Sequence, residues 1–178
     1  MDVFSHGLWA GAVAKVANKE KPKLLNVSWT VVFGVLPDVL SFAPVFIFLF
    51  YNLLLGRTGL STMPRPEEAE PAARDTLPIF QLTSTLYNLS HSLIIFFLVF
   101  GLVFLIMRRP VFELGGWLFH ILIDIPTHSY RFYPTPFLWP VSGFKFNGLS
   151  WANPWFLLLN YSAIILVYFL LRKRKNNN

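Results

Sequence analysis

Apolar residues in this chain gather into runs covering 2–17, 24–52, 80–107, 111–127 and 154–171, separated by polar or proline-rich stretches. A helix rises about 1.5 Å per residue, and about 20 apolar residues cross a hydrocarbon core. The pattern therefore predicts an all-α, polytopic membrane helical bundle of about five membrane segments, the first and fourth short and so tilted, re-entrant or partly buried by protein. Pro37 and Pro44 fall inside the second run and predict a broken or kinked helix with Asp38 just beyond the break. In the fourth run Pro126 predicts a helix ending near Asp124 to Ile125, with His128 past its end.

The intervening stretches complete a single domain over 1–178. Residues 56–77 are rich in Pro, Ala and Glu and read as an exposed loop. Residues 129–153 combine Trp, Tyr and Phe with several prolines, as expected of an aromatic loop at the membrane–water interface. Residues 172–178 read as a basic, disordered tail. Ala10-Gly11-Ala12 resembles a signal-peptide cleavage site, but the positive charge follows the apolar run where a signal peptide has it in front, so residues 1–17 are expected to be retained.

Composition sharpens this picture. The chain is 54% hydrophobic and only 13% charged, which fits a membrane protein. It has no cysteine, excluding disulfides and thiolate metal sites. The net charge of +6 resides in clusters beside the apolar runs, which points to topology and anionic lipid headgroups and away from nucleic acid. Clusters at 15–23, 108–109 and 172–175 fall on one side of a five-segment count. The positive-inside rule makes that side cytoplasmic and predicts a multi-pass protein of the inner (cytoplasmic) membrane with a cytoplasmic C-terminus.

The chemistry lies within the apolar runs. All four histidines, His6, His91, His120 and His128, sit inside or at the edge of such runs, as do Asp38 and Asp124. Ionisable groups persist at membrane depth when paired, metal-bound or facing water. His120 and Asp124 are one helical turn apart, a workable spacing either for two ligands of one ion or for a simple His–Asp hydrogen bond. Counting helical rise from the basic clusters puts His6 roughly 20 Å deep, Asp38 about 22 Å, His91 about 26 Å, and His120 and Asp124 on the order of 15 and 21 Å. Groups from four segments thus share one slab.

The order His6, Gly34-Val35-Leu36-Pro37-Asp38, Ser90-His91-Ser92, His120-x-x-x-Asp124-x-x-Thr127 and Trp139-Pro140 resembles the membrane-bound metal-dependent hydrolases of the YdjM type, LexA-binding and inner-membrane-associated, over about residues 1–145. Two family positions differ: Leu40 replaces a second acid and Leu86-Tyr87 replaces a His-Arg pair, with His128 the group able to compensate. The family is distantly similar to zinc-dependent phospholipases C, which implies phosphoester chemistry by analogy.

These readings give His6, Asp38, His91, His120 and Asp124 as metal ligands, with His128 as an outer candidate. Imidazole and carboxylate without thiolate suit Zn2+, with Mn2+ or Fe2+ as alternatives. So many groups exceed one tetrahedral site, so either two ions bind or some groups stand behind the ligands. Asp38 and Asp124 are the candidate proton acceptors or bridging groups, and Arg131 and Lys145 the candidate contacts to an anionic headgroup. The expected activity is metal-dependent hydrolysis of a phosphoester in a lipid or lipid-linked, amphiphilic substrate, with membrane lipids as the partners. The alternative is a non-enzymatic protein, either a proton or metal-ion carrier or a packing module. No Gly-x-Ser-x-Gly elbow is present to support a serine hydrolase.

Overall fold

The computed structural model describes residues 1–57, 78–131 and 133–175. Nearly all of the expected 56–77 loop and the Asn176–Asn178 end of the chain lie outside the described residues. The described chain is all-helical: α1 (Val3–Glu20), α2 (Val27–Leu54), α3 (Pro78–Ser90), α4 (Leu93–Met107), a 3₁₀ turn at Phe112–Leu114, α5 (Gly115–Thr127) and α6 (Pro154–Lys175).

Large apolar side chains such as Ile47, Leu98, Leu105, Leu159 and Ile165 point outward, whereas Ser5, His6, Thr30, Asp38, Ser41, Thr83 and His91 are buried. Exposed apolar surface on this scale, wrapped around a polar interior, belongs in a hydrocarbon solvent. Two helices are long and apolar enough to cross a membrane, α2 and the Pro154–Lys173 part of α6. The pair α3–α4, bent by 63° at its break, adds a third if it is counted as one span. These helices mark a membrane protein. The count of five segments is not reached by this measure. The 13-residue α5 is about 20 Å long, short of the roughly 30 Å core, and the last turn of α1 carries Lys19 and Glu20.

Helix α2 is the centre of the bundle, packed against α1, α3 and α5, while α6 packs against α1 and α4 against α5. Of the broken or kinked helix expected, the break is absent: α2 runs uninterrupted through Pro37 and Pro44. Each proline removes one main-chain donor, and helices packed on its sides hold α2 together across the lost bonds. Ser41 Oγ adds a bond inside the weakened stretch, donating to the Pro37 carbonyl at 2.7 Å. Helix α5 also passes its proline and ends at Thr127, with His128 as its C-cap. Pro126 removes one donor near the helix end, where the last carbonyls need outside partners in any case. The 129–153 loop supplies them: Leu149 N donates to Pro126 O at 2.9 Å, Trp151 N to Thr127 O at 3.0 Å and Gly148 N to His128 O at 2.8 Å. Arg172 and the residues up to Lys175 continue α6, where a disordered tail was expected.

Helix α6 is fastened to the start of α1 by polar contacts. Asn160 Nδ2 donates to Ser5 Oγ at 2.7 Å and accepts at Oδ1 from Trp9 Nε1 at 2.9 Å. Tyr161 Oη donates to Asp2 Oδ1 at 2.8 Å, and Asp2 in turn caps α1 by accepting from Ser5 N at 3.0 Å.

The helices cross closely because the crossing points are glycine. A Cβ on Gly116 of α5 would lie 2.2 Å from the Thr30 carbonyl oxygen of α2, and one on Gly34 would lie 2.6 Å from the Ala10 Cβ of α1. Backbone cannot yield at such distances. Gly116→Ala is therefore expected to push α5 off α2 and lower stability by about 1–3 kcal/mol, measured by thermal unfolding in detergent.

Candidate metal centre

Three helices, the cap of one of them and one helix break deliver six ionisable side chains to a single point. His6 comes from the first turns of α1, Asp38 from mid-α2, and His120 and Asp124 from successive turns of α5. His91 sits in the break between α3 and α4. That break is set by Ser92, whose Oγ caps α4 by accepting from Ile94 N at 3.1 Å and Ile95 N at 3.2 Å. His128 caps α5, its N–H donating to Asp124 O at 3.0 Å. All six are buried, His91 and Asp124 with 0% exposure.

The groups face one another through ring Nε2 atoms and carboxylate oxygens. Asp124 Oδ2 lies 3.1 Å from His120 Nε2 and 3.4 Å from His91 Nε2. Asp124 Oδ1 lies 2.9 Å from His6 Nε2 and 3.3 Å from His128 Nε2. Asp38 Oδ1 lies 3.5 Å from His91 Nε2 and 3.7 Å from His120 Nε2, and its Oδ2 is 4.0 Å from His6 Nε2. One ligand atom each from Asp38, His91, His120 and Asp124 falls within 4.8 Å of the others, so this buried group can hold a metal ion. The α-amino nitrogen of Met1 contacts Asp124 Oδ1 and lies 3.1 Å from His128 Nε2.

The outer nitrogens of three histidines are tied to acceptors. His120 Nδ1 is 2.7 Å from the Gly34 carbonyl, and His128 Nδ1 is 2.8 Å from the Tyr133 carbonyl. His91 Nδ1 is 2.8 Å from Ser90 Oγ and 3.2 Å from the Tyr87 carbonyl. A carbonyl only accepts, so each Nδ1 carries a proton, and in the neutral ring each Nε2 presents a lone pair to the centre. For His91 a hydroxyl chain carries the direction outward. Ser41 donates to Pro37 O, Ser90 Oγ lies 2.8 Å from Ser41 Oγ and donates to it, and His91 donates to Ser90.

Lone pairs then point at lone pairs. His91 Nε2 and His120 Nε2 are 3.0 Å apart, and both face carboxylate oxygens. His6 Nδ1 has no hydrogen-bond partner, nor do Asp38 Oδ2 and Asp124 Oδ2. Buried atoms of this kind are normally satisfied. A cation at the centre satisfies them at once, and outer carbonyl or hydroxyl bonds that fix tautomers are what metal-binding histidines carry. The residues fit a metal ion.

The six residues read as ligands from the sequence are thus brought together, His128 included. Arg131 and Lys145 are not among them. Arg131 is exposed, and Lys145 lines a separate small hollow with Tyr87 and Tyr133. Glu113 lies elsewhere, accepting from Asn26 N at 3.1 Å at the start of α2.

Sequence reasoning noted Tyr87 only as a departure from the family pattern and assigned it no role. Its ring stacks on His91 at 3.8 Å between centroids, and its hydroxyl donates to Tyr133 O at 2.8 Å, 3.2 Å from His128 Nδ1. Its place one turn before His91 was the available signal. Ser41 and Trp117, whose Nε1 donates to Ser90 O at 2.6 Å, carried none.

No protein-family model, curated protein or solved structure matches this chain. Ser90→Ala removes the acceptor that orients His91 and is expected to weaken metal affinity about 10–100-fold, measured by competition against a chromophoric chelator.

Proposed function

We propose that this protein is a membrane-embedded, metal-dependent hydrolase acting on a phosphoester of a lipid or lipid-linked substrate. The observation that carries the reading is a cavity of about 210 Å³ that meets the centre at Asp38 and His128. Its walls are Phe42, Val45, Phe46 and Leu49 of α2, Phe80 of α3, and Tyr133 and Trp151 of the aromatic loop. Phe46 is exposed on the outer surface and Asp38 is buried, so apolar lining connects the bilayer side of the helices to the charged centre. A soluble substrate has no use for such a lining; an acyl or isoprenoid chain does.

Asp38, His91, His120 and Asp124 would hold a divalent cation, which would supply Lewis acidity and lower the pKa of a bound water toward neutrality. Zinc suits the donor set best, with manganese or iron next. Of the two carboxylates, Asp38 is the better proton acceptor, because it lines the cavity while Asp124 is enclosed by imidazoles. Tyr133 and Trp151 close the cavity on the loop side and limit bulk water. The phosphoester bond follows from the resemblance to YdjM-type hydrolases. Lys23 precedes α2, Arg108 follows α4 and Arg172 lies in the last turn of α6. Together they favour the cytoplasmic face of a cytoplasmic membrane for these helix ends.

Protein reconstituted with mixed phospholipids and Zn2+ or Mn2+ is expected to form new lipid products detectable by mass spectrometry, and Asp38→Asn to lower their rate about 10²–10⁴-fold. Metal-loaded protein that leaves every lipid intact while moving protons or metal across vesicles is a carrier, and the hydrolase reading then fails.

A further inference from the structure

We infer that the centre holds two ions, and that the one facing the cavity is bound by His6 and His128. The inference rests on the metal-binding part of the reading above and not on its hydrolytic part.

The two carboxylates divide the histidines into pairs. Asp124 turns Oδ2 toward His120 and His91, at 3.1 and 3.4 Å, and Oδ1 toward His6 and His128, at 2.9 and 3.3 Å. Asp38 follows the same division, with Oδ1 3.5 and 3.7 Å from His91 and His120 and Oδ2 4.0 Å from His6. One half comprises His91, His120, Asp124 Oδ2 and Asp38 Oδ1, and the other His6, His128 and Asp124 Oδ1 with Asp38 Oδ2 on the His6 side. Four nitrogen and oxygen donors make a complete zinc site.

One ion leaves the second half unexplained. His6 is 1% exposed, its Nδ1 has no hydrogen-bond partner, and its Nε2 faces Asp124 Oδ1 at 2.9 Å. Asp38 Oδ2, on the same side, is likewise unpartnered. A buried imidazole in that condition is costly, and its only neighbours of opposite character are the two carboxylates. His128 is prepared in the same way as His91 and His120, with Nδ1 on the Tyr133 carbonyl and Nε2 turned inward.

The halves differ in access. Asp38 and His128 line the apolar cavity, whereas His6, His91 and His120 do not. The His91–His120 pair is thus enclosed, and the other pair meets whatever enters through His128.

The test is metal content and electron paramagnetic resonance of purified, detergent-solubilised protein titrated with Mn2+. Wild type is expected to bind two ions per chain and to give an exchange-coupled multiline signal. The pair His6→Gln and His128→Gln is expected to bind one ion and to give an uncoupled six-line signal. The titration of wild type needs no variant and so remains decisive if the pair fails to fold. One ion per wild-type chain with an uncoupled signal overturns the second position while leaving metal binding intact. No bound ion overturns the metal reading itself.

Discussion

The interaction on which this molecule depends is the meeting of two buried carboxylates with the imidazoles around them. Moving a carboxylate out of water costs several kcal/mol even after relaxation, and ionisable groups inside a membrane bundle are costly for the same reason. Here Asp38 and Asp124 are both buried, and the hydrogen bonds behind His91, His120 and His128 turn lone pairs toward them. The arrangement lowers its energy only when positive charge stands at the centre. A fold that kept these groups apart would bury each one alone.

Much of the rest of the chain serves that meeting. Gly34, Gly116 and Ala10 let α1, α2 and α5 approach closely enough for side chains as short as aspartate to touch histidines on neighbouring helices. The Gly34 carbonyl illustrates the economy of the arrangement: it belongs to the crossing point and also orients His120. Ser92 turns the chain so that His91 is presented at a break, and the 129–153 loop both closes α5 and orients His128 through Tyr133. The apolar outer surface makes no such demands, since Leu, Ile and Phe there need only face lipid.

The sequence made the centre more legible than the fold around it. His6, Asp38, His91, His120, Asp124 and His128 stood out because ionisable residues in apolar runs are expensive, and counting helical rise put five of them at one depth. The helical class and the approximate limits of the runs were also readable, since apolar runs punctuated by basic clusters leave few other structures. Helix continuity was not. Pro37, Pro44 and Pro126 suggested breaks, but packing around α2 and the loop capping α5 outweighed the missing donors, and neither is visible in local sequence. The real break, at Ser90–Ser92, lay in a run with no proline. Arg131 and Lys145 looked like headgroup contacts from composition alone. Where their loop folds back is set by long-range bonds to Pro126, Thr127 and His128, which residue types do not announce.

The most direct test of a cation at the meeting point is X-ray absorption at the metal edge of the purified protein. A nitrogen and oxygen shell near 2.0–2.1 Å is expected, with the outer scattering of imidazole rings and no sulfur. Protein purified under metal-replete conditions that gives no edge above background, or a shell without imidazole scattering, would contradict the account.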